Sequence, residues 1–299
     1  MRKLLIVGYK GQLGSEIIKN LEDNIVDFES LAKANIFLLK RSSKELNISD
    51  RSSVLSFIQD IKPDIIINCA AYTNVDKAEE DYGKAFQVNA LGPRNLAAAA
   101  ESVGAKLIHI STDYVFDGEG ITVNGEKMPY REYDTPNPIN VYGKTKLFGE
   151  NYVRDFCSQY FIIRTSWLYG ENGNNFVKTI IRLAREKGKL QVVNDQIGNP
   201  TNAEDLARHI LKLAFTDEYG IYHCTGNGIT SWYDFACKLI EYAEIDCIVE
   251  PVTSEQFTRK AKRPSYSCLD NMMLRSTIGD GMRDWEKALY DFVKNRLQL

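Results

Sequence analysis

Through the first half of the chain, short and largely apolar runs alternate with segments of helical spacing. Residues 4–7, 36–39, 65–67, 107–110 and 161–163 are the apolar runs. Between them, residues 11–21 place Leu13, Ile17, Ile18 and Leu21 on one helical face, and residues 52–61 read as a helix stopped by Pro63. Residues 82–103, with alanines at 97–100, and residues 138–156 read as two more helices. A strand that is apolar on both faces needs cover on both faces. The order therefore predicts an α/β fold: a doubly wound parallel sheet of Rossmann type, with right-handed crossovers. Ligands of such sheets bind beyond the carboxyl ends of the strands, so the residues just after each apolar run are where chemistry is expected.

The second half is less regular. Residues 175–187, 203–215, 232–243 and 284–296 read as helices and 222–224 as a strand. The glycine- and asparagine-rich stretch around 167–174 marks a lobe boundary. The division expected is a nucleotide-binding domain over 1–166 and a smaller lobe over 167–299, some of whose segments return to the sheet.

Composition removes several classes of function. A net charge of −3 over 299 residues argues against an extended nucleic-acid surface, which needs a basic excess. The six cysteines (Cys69, Cys157, Cys224, Cys237, Cys247 and Cys268) include no C-x-x-C pair, so free thiols are expected rather than a zinc or disulfide framework. No apolar run reaches the length of a membrane span, and the apolar stretch after Met1-Arg2-Lys3 is too short for a signal peptide. A cytoplasmic enzyme or binding protein, with no nucleic-acid or membrane partner, is the expectation.

Gly8-Tyr-Lys-Gly11-Gln-Leu-Gly14 follows the first apolar run and opens the first helix. Gly8 allows a tight turn, Gly11 lets backbone N–H groups approach a pyrophosphate, and Gly14 permits close helix–strand packing. The helix end adds partial positive charge. The competing reading is a plain strand–helix turn, which placement at the first strand disfavours. After the second run, a chain binding NAD usually carries Asp or Glu for the ribose diol. Here the residues are Lys40-Arg41-Ser42-Ser43, which suit a 2′-phosphate and favour NADPH, with NADH still open. An exposed basic turn is the alternative. Asn47 and Ile48 can reach the adenine end.

Tyr142 and Lys146 stand at i, i+4 and share a helical face. Tyr290 and Lys294 repeat the spacing, so context must separate the two pairs. Only the first follows the fourth strand, which ends at Ser111-Thr112-Asp113-Tyr114. Hydride transfer to a ketone leaves an alkoxide that needs a proton. A phenol, with a reference pKa of about 10, is expected to be brought toward the working range by an adjacent ammonium. Thr112 can hydrogen-bond the substrate oxygen. The catalytic set expected is Thr112, Tyr142 and Lys146.

Taken together, Gly8-x-x-Gly11-x-x-Gly14, Asn68-Cys-Ala-Ala71, Ser111-Thr-Asp-Tyr-Val-Phe-Asp-Gly118, Tyr142-x-x-x-Lys146 and Arg164-Thr-Ser-Trp-Leu-Tyr-Gly170 resemble the extended short-chain dehydrogenase/reductases. The likeness continues through Asp195-Gln-Ile-Gly-Asn-Pro-Thr201 and Lys262-Arg-Pro264. It is to the branch that reduces the 4-keto group of dTDP-4-dehydro-L-rhamnose. Tyr72 stands where many members have histidine. The resemblance implies a nucleotide-sugar substrate. It places Gly11, Gln12, Leu13, Asn47, Ile48, Ala71, Tyr72 and Thr73 at the cofactor, and Asp113 and Trp167 near the sugar. It also admits a homodimer. Some members dimerise around Mg²⁺ held by acidic residues. Glu16 and Glu204 are the counterparts here, each with the competing reading of a solvated helix carboxylate, and no metal site is assigned.

Other residues carry two readings apiece. Trp167 can stack on a ligand or pack the lobe junction. Asn174 and Asn175 can bind a diphosphate or cap the next helix. Arg263 can meet a phosphate or lie at the surface. His109, His209 and His223 show no metal spacing and receive no role. Two alternatives to the reductase stay open at this point. A sugar-nucleotide epimerase or dehydratase shares the scaffold, although dehydratases carry Asp-Glu after the threonine and this chain has Asp113-Tyr114. A regulatory subunit that binds nucleotide without catalysis is the other.

Overall fold

The computed structural model describes residues 1–23, 35–257 and 259–297. Six strands form the central sheet: β1 (Arg2–Val7), β2 (Ile36–Arg41), β3 (Ile65–Asn68), β4 (Lys106–Thr112), β5 (Tyr160–Thr165) and β6 (Gly220–His223). Their order is β6-β5-β4-β3-β1-β2, every pairing parallel. The order reverses between β1 and β3, and the crevice above that pair is where a doubly wound sheet takes its ligand.

Alternate residues of each strand enter opposite cores. Leu4, Ile6, Ile65, Ile67, Ile108 and Phe161 join Leu13 and Ile17 of α1 (Gln12–Glu22) on one face. Leu5, Val7, Ile66, Leu107 and Ile162 join Val54 and Ile58 of α2 (Arg51–Ile61) and Leu96 of α3 (Gly92–Val103) on the other. Each fully buried aliphatic side chain contributes about 1.5–3 kcal/mol, so two-sided burial accounts for strands without polar alternation.

Two helices differ from the expectation. Residues 82–103 do not form one regular helix: an α-turn over Tyr82–Phe86 passes into a π-turn over Gln87–Leu91 before α3 begins. Gly92 sits at that join because a side chain there would come within 2.5 Å of Ile48 Cδ1. The helix expected from Pro138 begins instead at Val141, as α4 (Val141–Phe156), because Asn140 caps it.

The longer helices of the second half are α5 (Phe176–Lys187), α6 (Ala203–Ala214), α7 (Trp232–Ala243) and α8 (Trp285–Asn295). The last-named pair and α5 enclose a third core of Val177, Ile180, Phe235, Leu239, Leu289 and Phe292. In contrast, α6 packs on α1 and β6 extends the main sheet, so the chain re-enters the first layer after building part of the second. The six cysteines are free. Among the described residues, no helix is long and apolar enough to cross a membrane.

Candidate active site

The glycine loop is shaped by close backbone approach. Gly8 has φ 81°, and a side chain there would meet Ala70 N at 2.7 Å; one at Gly14 would meet Gly8 O at 2.6 Å. Gly11 occupies the N-cap of α1 and provides no side-chain acceptor. The first-turn N–H groups, including those of Gln12 and Leu13, therefore keep their capacity for an anion. Gly11, Gln12 and Leu13 line part of a cavity of about 450 Å³. This uncapped turn fits the diphosphate of a dinucleotide cofactor.

Ala71, Thr73, Thr112, Asp113, Tyr142, Lys146, Trp167 and Asn174 line the same cavity. The structure thus brings the glycine loop, the Tyr–Lys pair and the end of β4 to one place. Gly8 and Gly14 lie beneath the loop. The remaining residues expected at the cofactor are held by the protein itself. Lys40 pairs with Glu22 at 2.8 Å, and the Arg41 guanidinium donates to the Lys40 carbonyl and lies 4.6 Å over the Phe57 ring. The Ser42 amide and hydroxyl both donate to Glu45, so that hydroxyl is not free for a phosphate. Asn47 accepts from the Ser49 amide, and Ile48 is buried against Gly92. Both backbone groups of Tyr72 are bonded by the Asn89 side chain.

Asn140 fixes the start of α4 and hence Tyr142. Its Oδ1 accepts from the Gly143 amide at 2.8 Å and its Nδ2 donates to the Lys262 carbonyl at 2.9 Å. Gly143 is needed because a side chain there would overlap the Tyr114 carbonyl oxygen. Asn140→Ala is expected to cost about 1 kcal/mol, the usual value of an N-cap, measurable as a shift of the urea midpoint. A loss below the error of that measurement would show that the cap carries no weight.

One turn on, Lys146 Nζ donates to the Ile110 carbonyl at 2.6 Å. Thr112 Oγ1 donates to Asp113 Oδ1 at 2.9 Å and accepts from the Tyr114 amide at 3.2 Å. Burial pushes the Tyr142 phenol up to about 12, helped by the Asp113 charge and opposed by a hydrogen bond with Thr112. Burial pulls Lys146 down to about 8, against Glu150 and Cys69. Burial also raises Asp113 to about 6, against the hydroxyls of Ser267 and Thr112. The expected lowering of the phenol by Lys146 is therefore not found. The amine is turned to a backbone carbonyl, and burial decides the phenol's state. At neutral pH Tyr142 keeps its proton, which is the form that can protonate an alkoxide.

The whole constellation can also be compared with known proteins. Residues 1–298 match the family model described as the RmlD substrate binding domain. The chain belongs to that family. It is 40% identical over 301 residues to a dTDP-4-dehydrorhamnose reductase of Aggregatibacter actinomycetemcomitans, covering 97% of each chain. A solved dTDP-4-dehydrorhamnose reductase of Clostridium acetobutylicum is 48% identical, with a TM-score of 0.90 over 97% of this chain and 98% of that one. One from Bacillus anthracis, solved in complex with NADP, is 43% identical, with a TM-score of 0.88 over 98% and 99%.

Several contacts of this RmlD-family chain escape a linear reading. Trp167, at φ 46°, stacks face to face on Trp232 with ring centroids 3.6 Å apart, so it both lines the cavity and packs the lobe junction. Trp232 in turn lines a second cavity of about 360 Å³ with Tyr114, Phe176, Ile180 and Arg263. Arg263 is no plain surface residue: it makes a two-pronged pair with Asp76 at 2.6 and 2.8 Å. Asn175 caps α5 and also binds Gln12 Oε1, tying the glycine loop to the lobe. Glu150, four residues after Lys146, accepts from Arg164 and Ser111 inside the core; the continued i, i+4 spacing was its signal.

Glu16 corrects the reading of a solvated helix carboxylate. It is only 3% exposed, and burial followed by the charge of Glu171 raises its pKa. Glu204 pairs with Arg208 at 2.9 Å and Arg296 at 3.1 Å. Among the described residues, no group of three or more His, Cys, Asp or Glu side chains is placed to hold a metal ion.

Proposed function

We propose that the chain is an oxidoreductase that reduces the 4-keto group of dTDP-4-dehydro-L-rhamnose, giving dTDP-L-rhamnose. The observation that carries this is one cavity lined both by Gly11, Gln12 and Leu13 and by Thr112, Tyr142 and Lys146. A nicotinamide dinucleotide, when bound, supplies the hydride. The chain's own residues do the rest. The uncapped first turn of α1 holds the diphosphate. Ala71 and Thr73 border the cofactor beyond it. Thr112 orients the ketone oxygen by a hydrogen bond, and Tyr142 gives that oxygen its proton. Lys146 lines the same cavity and binds ribose hydroxyls. Asp113 and Trp167 face the sugar. The second cavity, walled by Trp232, Phe176 and Ile180 and edged by Arg263, suits an aromatic base joined to phosphates.

The direct test supplies enzymatically made dTDP-4-dehydro-L-rhamnose and NADPH, follows cofactor oxidation and identifies the product by NMR. Absence of dTDP-L-rhamnose under saturating substrate would overturn the assignment.

NADPH is the proposed physiological donor, on the strength of Lys40 and Arg41 at the end of β2. Turning the Arg41 guanidinium from the Lys40 carbonyl onto a 2′-phosphate would exchange a neutral acceptor for a charged one. Arg41→Ala is expected to raise KM for NADPH by about 10-fold, the value of one charge-assisted hydrogen bond, and to leave KM for NADH unchanged. Equal changes for both cofactors would contradict that role.

A further inference from the structure

Beneath the cavity, hydrogen bonds run from the backbone to Lys146 in a fixed direction. The Ala70 amide can only donate, and Asn68 Oδ1 accepts from it at 3.1 Å. This orients the Asn68 side chain, whose Nδ2 faces His109 Nδ1 at 3.1 Å. An NH₂ group only donates, so Nδ1 accepts and carries no proton. His109 is fully buried, and burial together with Lys146 holds its pKa well below the usual value, so the ring is neutral. A neutral imidazole has one N–H, which then sits on Nε2. That nitrogen faces Lys146 Nζ at 3.4 Å. An ammonium there meets the N–H head-on, whereas the lone pair of a free amine accepts it. Either form can donate to the Ile110 carbonyl.

We propose that His109 is a positioning residue that weakens the hold of Lys146 on its proton, by directing Nε2–H at the amine nitrogen. This deepens the reading of Lys146 as the amine of the active site. The other groups around Lys146 are accounted for. Glu150, on the same helix, favours the ammonium, but Arg164 shares its charge at 2.8 Å. Cys69, beyond β3, would do so as a thiolate, yet burial pushes that thiol up to about 12 and keeps it neutral. Tyr142, one turn earlier on α4, is an un-ionised phenol at neutral pH. Burial already lowers Lys146 to about 8, and the His109 N–H acts in the same direction. An ordinary lysine stays charged far above neutral pH. Burial brings Lys146 closer to neutral pH than that, to about 8.

The test is nitrogen NMR on the full chain, labelled at histidine and lysine. In the native protein at neutral pH, His109 is expected to show a bare Nδ1 and a protonated Nε2. The opposite tautomer, or a charged ring, would overturn the proposal. In His109→Gln the amide can turn its oxygen to Lys146. The Lys146 Nζ titration is then expected to move up by about one pH unit, as one charge-assisted hydrogen bond is gained. An unchanged or lower titration also overturns it. Should that variant fail to fold, the tautomer of the native protein decides alone. Neither measurement needs turnover, so this proposal and the assigned reaction fail separately.

Discussion

Tyr142→Phe is expected to lower turnover by about 10²–10⁴-fold, the usual contribution of a positioned general acid, with cofactor affinity unchanged. The substitution keeps the ring and its edge-on contact with Tyr114, at 5.8 Å between centroids, and removes only the hydroxyl. Lys146 and its bond to the Ile110 carbonyl remain in place. Turnover is read from NADPH oxidation and affinity from a fluorescence titration. The phenol holds its proton up to about 12, so loss of that proton is not expected to limit the rate near neutral pH. Unchanged turnover would remove Tyr142 from proton delivery, and loss of cofactor affinity would make its role one of binding.

Arg164→Leu is expected to destabilise the fold by about 3–5 kcal/mol, because it strands a buried carboxylate. Arg164 donates to both oxygens of Glu150, and the two side chains are each 2% exposed. The guanidinium also lies 5.1 Å over the Phe116 ring. Without it, Glu150 keeps the Ser111 hydroxyl but no cation to offset its buried charge. Adding Glu150→Leu removes the stranded charge and should restore part of the loss. Urea unfolding of the native protein and the two variants measures this. A single-variant loss under about 1 kcal/mol would mean that the pair carries no more than a surface salt bridge does.

The sheet was legible because burial on both faces forces nearly continuous apolar runs, bounded by turns and alternating with helical segments. The glycine loop was legible because a strand, a turn and a helix must meet within seven residues, from Gly8 to Gly14. Tyr142 and Lys146 were legible because i, i+4 puts both on one face. Other features depend on contacts between distant residues. The π-turn at Gln87–Leu91 leaves no periodic trace, since one added residue per turn resembles a small phase error. Pro138 looks like a helix start, but Asn140 has the side chain that caps. The state of Tyr142 could not be read from its neighbour four residues on, because Lys146 is claimed by the backbone of β4. The second cavity draws on Tyr114, Phe176, Trp232 and Arg263, which no spacing rule connects.

The position of β6 bears on how the chain is made. Its register sets His223 beside Arg164, so the flank of β5 stays unpaired until dozens of further residues have left the ribosome. A nascent chain halted before that point presents an open edge to other polypeptides. Premature termination between these two strands should thus yield inclusion bodies rather than a half-sized folded product.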